Sequence, residues 1–189
     1  MLPGVEMTGR GPWITTALRG RFYPLDPTPE EVHLDDIACS LSNLCRYNGH
    51  CDRFYSVAEH SVIMANQLKG NESRWALLHD APEAYIGDMV RPLRSIIPYF
   101  SEMDARIMRV IAKRFGLAGT EIPAPVLALD YAMCSTEKRD LLCGAEVWPR
   151  MPPALPIQIS LETVPPAQAY GMFLRKFAEL FPGANPEIS

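Results

Sequence analysis

The chain has 189 residues, which is room for one domain with a sizeable core and not for a second full domain. Hydrophobic residues make up 48% of it and the formal net charge is −4, which argues against a disordered chain and against a basic binder of duplex nucleic acid. No apolar run approaches the roughly 20 residues of a membrane span, and the N-terminal "MLPGVEMTGRGPW" lacks the apolar core of a signal peptide, so a cytoplasmic protein is expected.

In chain order, "WITTALRGRFYPLDPTP" combines β-branched and aromatic residues with Arg-Gly at a turn and prolines at its end. That predicts a short hairpin in an N-terminal extension over residues 1–30. "HLDDIACSLSNLCRY" offers Asp35 or Asp36 as an N-cap and Ile37, Leu41 and Leu44 at helical spacing, ending near the loop "NGHCDRF". In "SVAEHSVIMANQLKG", Ser56 and Glu59 read as a capping box, Val57, His60, Met64 and Leu68 share a face, and Gly70 reads as the stop. Asn71 is expected to cap the next helix, in which Trp75, Leu78 and His79 share a face and Pro82 bends or restarts the chain.

Ser101 with Asp104 opens a further helix carried by Met103, Ile107, Val110 and Ile111 and closed by Gly116. "PVLALDYAMCSTEKRDLL" sets Val126, Asp130, Met133 and Glu137 along one side of another. A proline-rich connector over residues 145–165 is poor helix material, and a last helix occupies residues 166–182. Whether that helix completes the core or meets a second copy is left open. Five cysteines, with no Cys-x-x-Cys pair, read as reduced thiols, Cys39 and Cys45 on one helical pattern. The expected fold class is an all-α helical bundle with a short N-terminal β-hairpin, one domain over residues 1–189.

Three of these helices carry residues of the metal-ligand type on faces that otherwise read as apolar: His60, the adjacent His79 and Asp80, and Asp130. Each has an ordinary explanation. A lone histidine on an apolar face is usually a hydrogen-bonded core residue, Asp130 could pair with a buried arginine, and Asp80 could cap the helix resumed at Pro82. Together they favour one divalent ion, because a carboxylate buried without a cation takes up a proton, whereas four convergent ligands satisfy one another. Adjacent side chains on a helix diverge by about 100°, so His79 and Asp80 could both grip an ion beside it.

The order "AEHS", "LLHDAPEAYIGD", "LALDYA" resembles the H…HD…D pattern of the HD-domain metal-dependent phosphohydrolase superfamily, over about Asp35 to Leu141. Within it the chain is most similar to the 5'-deoxynucleotidase branch and the related phage-type dATP triphosphohydrolases. The resemblance implies His60, His79, Asp80 and Asp130 as metal ligands, Glu83 as the catalytic carboxylate that positions or deprotonates the attacking water, and Asp88 as its support in proton transfer. It further implies Arg46 as a substrate contact, followed by Tyr47 where close relatives of the nucleotidases have Trp, and Arg94 where that family has a phosphate-binding Lys. Mixed nitrogen and oxygen donors suit Mn, Co, Fe, Ni or Zn better than an all-oxygen Mg site. Arg53 could offset phosphoryl charge and His50, in a loop, could touch substrate. His33 is taken as structural or exposed. Tyr47 and Tyr85 could stack on a base, though aromatics at helical positions are more often core.

The expected function is therefore hydrolysis of a nucleotide, foremost a 2'-deoxynucleotide, either dNMP to nucleoside or dNTP to nucleoside and triphosphate. The partner is a small-molecule nucleotide, with neither duplex nucleic acid nor membrane, and the resemblance implies a homodimer or larger homo-oligomer. Alarmone hydrolysis is disfavoured because Ala84 follows Glu83 where that branch has a Glu-Asp pair. Diiron oxygenation needs more histidines than His33 and His50 supply, and cyclic dinucleotide cleavage lacks a second metal cluster. A metal-stabilised binding protein without activity is the remaining alternative.

Overall fold

A computed structural model describes residues 9–144, 146 and 148–183. The parts of the expected N-terminal extension and connector at residues 1–8, 145 and 147 lie outside the described residues. Strands β1 (Ile14–Thr15) and β2 (Arg21–Phe22) pair antiparallel, Ile14 opposite Phe22, around a turn where Arg19 takes a positive φ of 65°. The hairpin is joined to the helices rather than appended to them. Phe22 is fully buried and stacks on Tyr85 with ring centroids 3.7 Å apart.

The helices follow as α1 (Leu34–Asn43), α2 (Val57–Gln67), α3 (Gly70–Leu78), α4 (Glu83–Ile86), α5 (Arg91–Arg94), α6 (Pro98–Phe115), α7 (Ala124–Leu141) and α8 (Pro166–Leu180). The protein is thus all-α with a short N-terminal hairpin. Among the described residues, no helix is long and apolar enough to cross a membrane. Helix α2 lies against α3 and α8, and α1 against α8 and α4. The core between them holds Ile37, Leu41, Met64, Trp75, Leu77 and Phe173, all fully buried. On α8, Ala169, Phe173 and Phe177 recur every fourth residue on the buried face, so this helix completes the core.

Several local signals act differently from their sequence reading. His33 precedes α1 as its N-cap, Asp35 and Asp36 fall inside the first turn, and the buried Asp36 instead accepts the Leu18 amide at 2.7 Å. Ser56 caps α2 by accepting the Glu59 amide at 3.1 Å, but the Glu59 carboxylate turns to Arg53 rather than back to the cap. Gly70 does not stop α2; with φ of 56° it begins α3, whose N-cap is Lys69, and Asn71 bonds the backbone at Ala118. Cys45 lies beyond the end of α1, so it shares no helix with Cys39; all five cysteines are free. Helix α6 starts at Pro98, three residues before Ser101, because proline suits a first helical turn, and Gly116 closes it in the left-handed region.

The connector contains no helix or strand among its described residues. It runs back along α7, which supplies the partners its prolines lack. Ser135 Oγ donates to the Pro152 carbonyl at 2.6 Å, Thr136 Oγ1 accepts the Leu155 amide at 2.8 Å, and Asp140 accepts the Ile159 amide at 2.8 Å.

Candidate metal centre

Pro82 interrupts the helical run, so α3 ends at Leu78 and α4 begins at Glu83. The break leaves His79 and Asp80 at the C-terminal end of α3, opposite His60 on α2 and Asp130 on α7. Ligand atoms of His60, His79 and Asp130 all lie within 4.8 Å of one another. Asp80 joins them, with Oδ1 3.2 Å from His79 Nε2 and Oδ2 3.7 Å from His60 Nε2. The structure therefore brings His60, His79 and Asp130 into one cluster and sets Asp80 against both of its imidazoles.

Both imidazoles are oriented for ligation. His79 Nδ1 lies 2.8 Å from the Ala76 carbonyl, which can only accept, so Nδ1 carries a proton and Nε2 is the ring atom turned to the centre. His60 Nδ1 lies 2.5 Å from Oε1 of Glu137, and its Nε2 faces Asp130 at 3.5 Å and His79 Nε2 at 3.4 Å. Ring nitrogens committed to an outer carbonyl or carboxylate are the usual support of histidine ligands. Carboxyl groups of Asp80, Glu83, Asp88, Asp130 and Glu137 gather around the cationic Arg46 and Arg91, an acidic surplus that a divalent ion would offset. Donor type, convergence and charge all fit such an ion.

Glu137, which the sequence sets on the Asp130 side of its helix without a role, lies at the site. It is fully buried on α7, and its Oε2 accepts from Arg46 Nη2 at 3.1 Å and from the Tyr47 hydroxyl. Its place seven residues after Asp130 on the same face was the available signal. Arg46 Nη1 also reaches Asp80 Oδ2 at 3.3 Å, so Arg46 and Tyr47 do lie at the site. Both Tyr47 and Asn48 hold positive φ, 56° and 51°, which turns this loop toward Glu137.

Glu83 is buried, 7% exposed, with Oε2 unpartnered among the described residues. Burial first, then the charges of Asp80 and Asp88, push its carboxyl well above the usual range. Half-buried Asp88 follows the positive-φ Gly87 that ends α4 and is raised by burial and by Asp80, with Arg46 opposing. Burial raises Asp80 too, yet His79, His60 and Arg46 hold it down to about 2.

Arg53, Arg94 and His50, the other expected substrate contacts, differ in their surroundings. Arg53 is buried in an ion pair with Glu59 at 2.7 Å and donates to the carbonyls of Ser160 and Phe54, pinning the connector to α2. Arg94 pairs with Asp104 at 2.5 Å, and His50 is exposed at the end of its loop. Arg91, which the sequence did not single out, pairs with Asp130 at 2.7 Å. Tyr85 is core, through its stack on Phe22.

In the metal-free protein, burial and then Arg46 oppose a charge on His60, but Glu137 and Asp130 outweigh them and lift it from 6.5 to about 9. A proton held more tightly in the folded state stabilises the fold fully below pH 6.5, and that contribution is lost as pH rises through about 9. The melting temperature of the metal-free protein is expected to fall across this window. A metal-loaded sample should hold steady, since a ligating imidazole is already neutral. Calorimetry at stepped pH checks this; a flat metal-free profile would remove the His60–Glu137 ion pair from the account.

Two relatives bear on the identity of this chain. The uncharacterized protein YfdR of Escherichia coli (strain K12) is 36% identical to it over 171 residues, which are 89% of this chain and 95% of that protein. The uncharacterized protein RCAP_rcc00048 of Rhodobacter capsulatus is 42% identical over 116 residues, 56% of this chain and 59% of that protein. No family model matches the chain.

Proposed function

The chain belongs to the family of YfdR, and from its site we propose that it is a metal-dependent phosphohydrolase of the HD-domain kind that acts on nucleotides, 2'-deoxynucleotides foremost. One observation carries this reading: two imidazoles with their Nδ1 atoms committed to outer acceptors turn their Nε2 atoms to each other and to Asp80 and Asp130. His60, His79, Asp80 and Asp130 would hold the ion. When bound, such an ion lowers the pKa of a water and polarises a phosphoryl oxygen.

The rest falls to the protein's own groups. Glu83, buried and with raised proton affinity, is suited to take a proton from the attacking water at its unpartnered Oε2. Asp88 lies close enough for the two carboxyl charges to raise Glu83, which fits a proton passed between them. Arg46 places a buried positive charge beside Asp80, of the sign that offsets charge on phosphoryl oxygens. Attack on the sugar-proximal phosphorus would release phosphate from a monophosphate or triphosphate from a dNTP. Assembly as a homodimer or larger homo-oligomer belongs to the same proposal, and light scattering gives the mass that decides it.

The test is product release by the purified protein with Mn, Co, Mg, Zn, Fe or Ni, across dNMPs, dNTPs and ribonucleotides, resolved by chromatography. Nucleoside with phosphate or with triphosphate is the expected result. No product with any metal would overturn the assignment and leave a metal-stabilised binding protein.

A further inference from the structure

Asp130 has two oxygens and two different neighbours. Oδ1 lies 3.5 Å from Nε2 of His60, toward the centre, while Oδ2 accepts from Nη2 of Arg91 at 2.7 Å. Arg91 opens α5 with its side chain 46% exposed, and its guanidinium lies 4.3 Å from the centre of the Tyr131 ring. It is therefore held by two successive residues of α7, with its charge on Asp130 and its flat face over Tyr131. Arg94 lies on the same short helix but pairs with Asp104 instead. Asp80 repeats the arrangement more loosely, with Oδ1 toward His79 and Oδ2 shared between Arg46 at 3.3 Å and His60 at 3.7 Å.

A carboxylate beside a divalent ion can ligate through one oxygen or through both, and the second mode uses up a coordination position. A guanidinium offers donors only, so an oxygen that accepts from it in a charge-assisted bond has one of its two lone pairs occupied and its charge partly offset, which makes it the poorer ligand of the two. We propose that Arg91 is a positioning residue of the metal centre: by holding Oδ2 it makes Asp130 a ligand through Oδ1 alone and keeps a neighbouring position open for water or a phosphoryl oxygen. This rests on the metal-centre reading of the preceding subsection and assigns it a residue outside the ligand set. Arg91 is half-exposed and bonds Asp130, whereas Arg46 is buried and bonds Asp80 and Glu137, which separates their roles.

Cobalt gives a readout independent of turnover, because its visible absorption reports the number and arrangement of its ligands. Wild type, Arg91→Lys and Arg91→Ala would be loaded with Co²⁺, freed of excess metal and scanned, with the melting temperature of each metal-free protein as a control on folding. Wild type and Arg91→Lys are expected to share one band, since lysine still offers Oδ2 a charged donor. Arg91→Ala should retain cobalt but show a band shifted in position and intensity, with its metal-free melting temperature unchanged. Superimposable bands for wild type and Arg91→Ala would overturn the role of Arg91 and leave the metal centre standing. Failure of wild type itself to retain cobalt would overturn the metal centre and this role with it.

Discussion

Replacing Glu83 by glutamine is expected to lower turnover about 10²–10⁴-fold, the usual contribution of a positioned general base, while metal content stays at the wild-type level. Glutamine keeps the shape of the side chain and loses the basic oxygen, so the loss isolates proton transfer from packing. Stability should move the other way or not at all. Glu83 is 7% exposed with Oε2 unpartnered among the described residues, and burial together with Asp80 and Asp88 works against its charge. Removing such a carboxylate relieves a cost of burial and like-charge repulsion. The measurements are the rate with each active metal, bound metal per chain, and the melting temperature. Turnover within a few-fold of wild type would remove Glu83 from the chemistry. Lost turnover with lost metal would instead make it part of the binding site.

The activity loss and the unchanged fold belong together because the site was assembled at some cost to stability. A Pro82 break, a buried carboxylate oxygen with no partner among the described residues and two non-glycine residues at positive φ all lie in the segments around the candidate centre. A sequence optimised for stability alone would have continued α3 through His79 and kept acids out of its core. These departures are what made the site legible. His60 interrupts an apolar helical face, and the adjacent His79 and Asp80 precede a proline, so their convergence could be argued from pattern.

What could not be read were the partners chosen by packing. Glu137 shares a stripe with Val126 and Met133, and the stripe does not tell a structural carboxylate from one that orients His60. Arg91 and Arg94 sit three residues apart on one turn of helix; which of them reaches Asp130 is decided by how α5 lies against α6 and α7. Arg53 reads from sequence as a cation able to offset phosphoryl charge. Its true partners, Glu59 and the Ser160 carbonyl, lie on a cap expected to bond itself and on a connector with no periodicity to place it. Periodicity identifies the faces of helices, while the pairing of buried charges follows from tertiary approach.

Glu137 carries the second large effect. Its carboxylate is fully buried and accepts from His60, Arg46 and Tyr47 at once, so truncation to alanine leaves the buried Arg46 guanidinium with Asp80 alone and frees the ring that should present a ligand. Breaking a buried ion pair in this way costs about 3–5 kcal/mol, and loss of the outer acceptor of a histidine ligand weakens metal binding about 10–100-fold. Glu137→Gln separates the two. It retains an oxygen that can accept from His60 Nδ1 but removes the charge that pairs with Arg46, so metal affinity should recover more than stability does. Chemical denaturation of the metal-free protein reads the first effect, and titration with Mn²⁺ or Co²⁺ reads the second. The charge of Glu137 also dates its contribution by pH. Burial alone would raise it, but Arg46 and His60 hold it at about 2 against an ordinary 4.5, so its stabilisation is complete above 4.5 and is lost as pH falls through about 2. The stability gap between wild type and Glu137→Gln should therefore be full at pH 6 and shrink steadily on acidification. A gap independent of pH would mean that the residue acts through its shape, and wild-type metal affinity in Glu137→Ala would mean that His60 needs no outer partner.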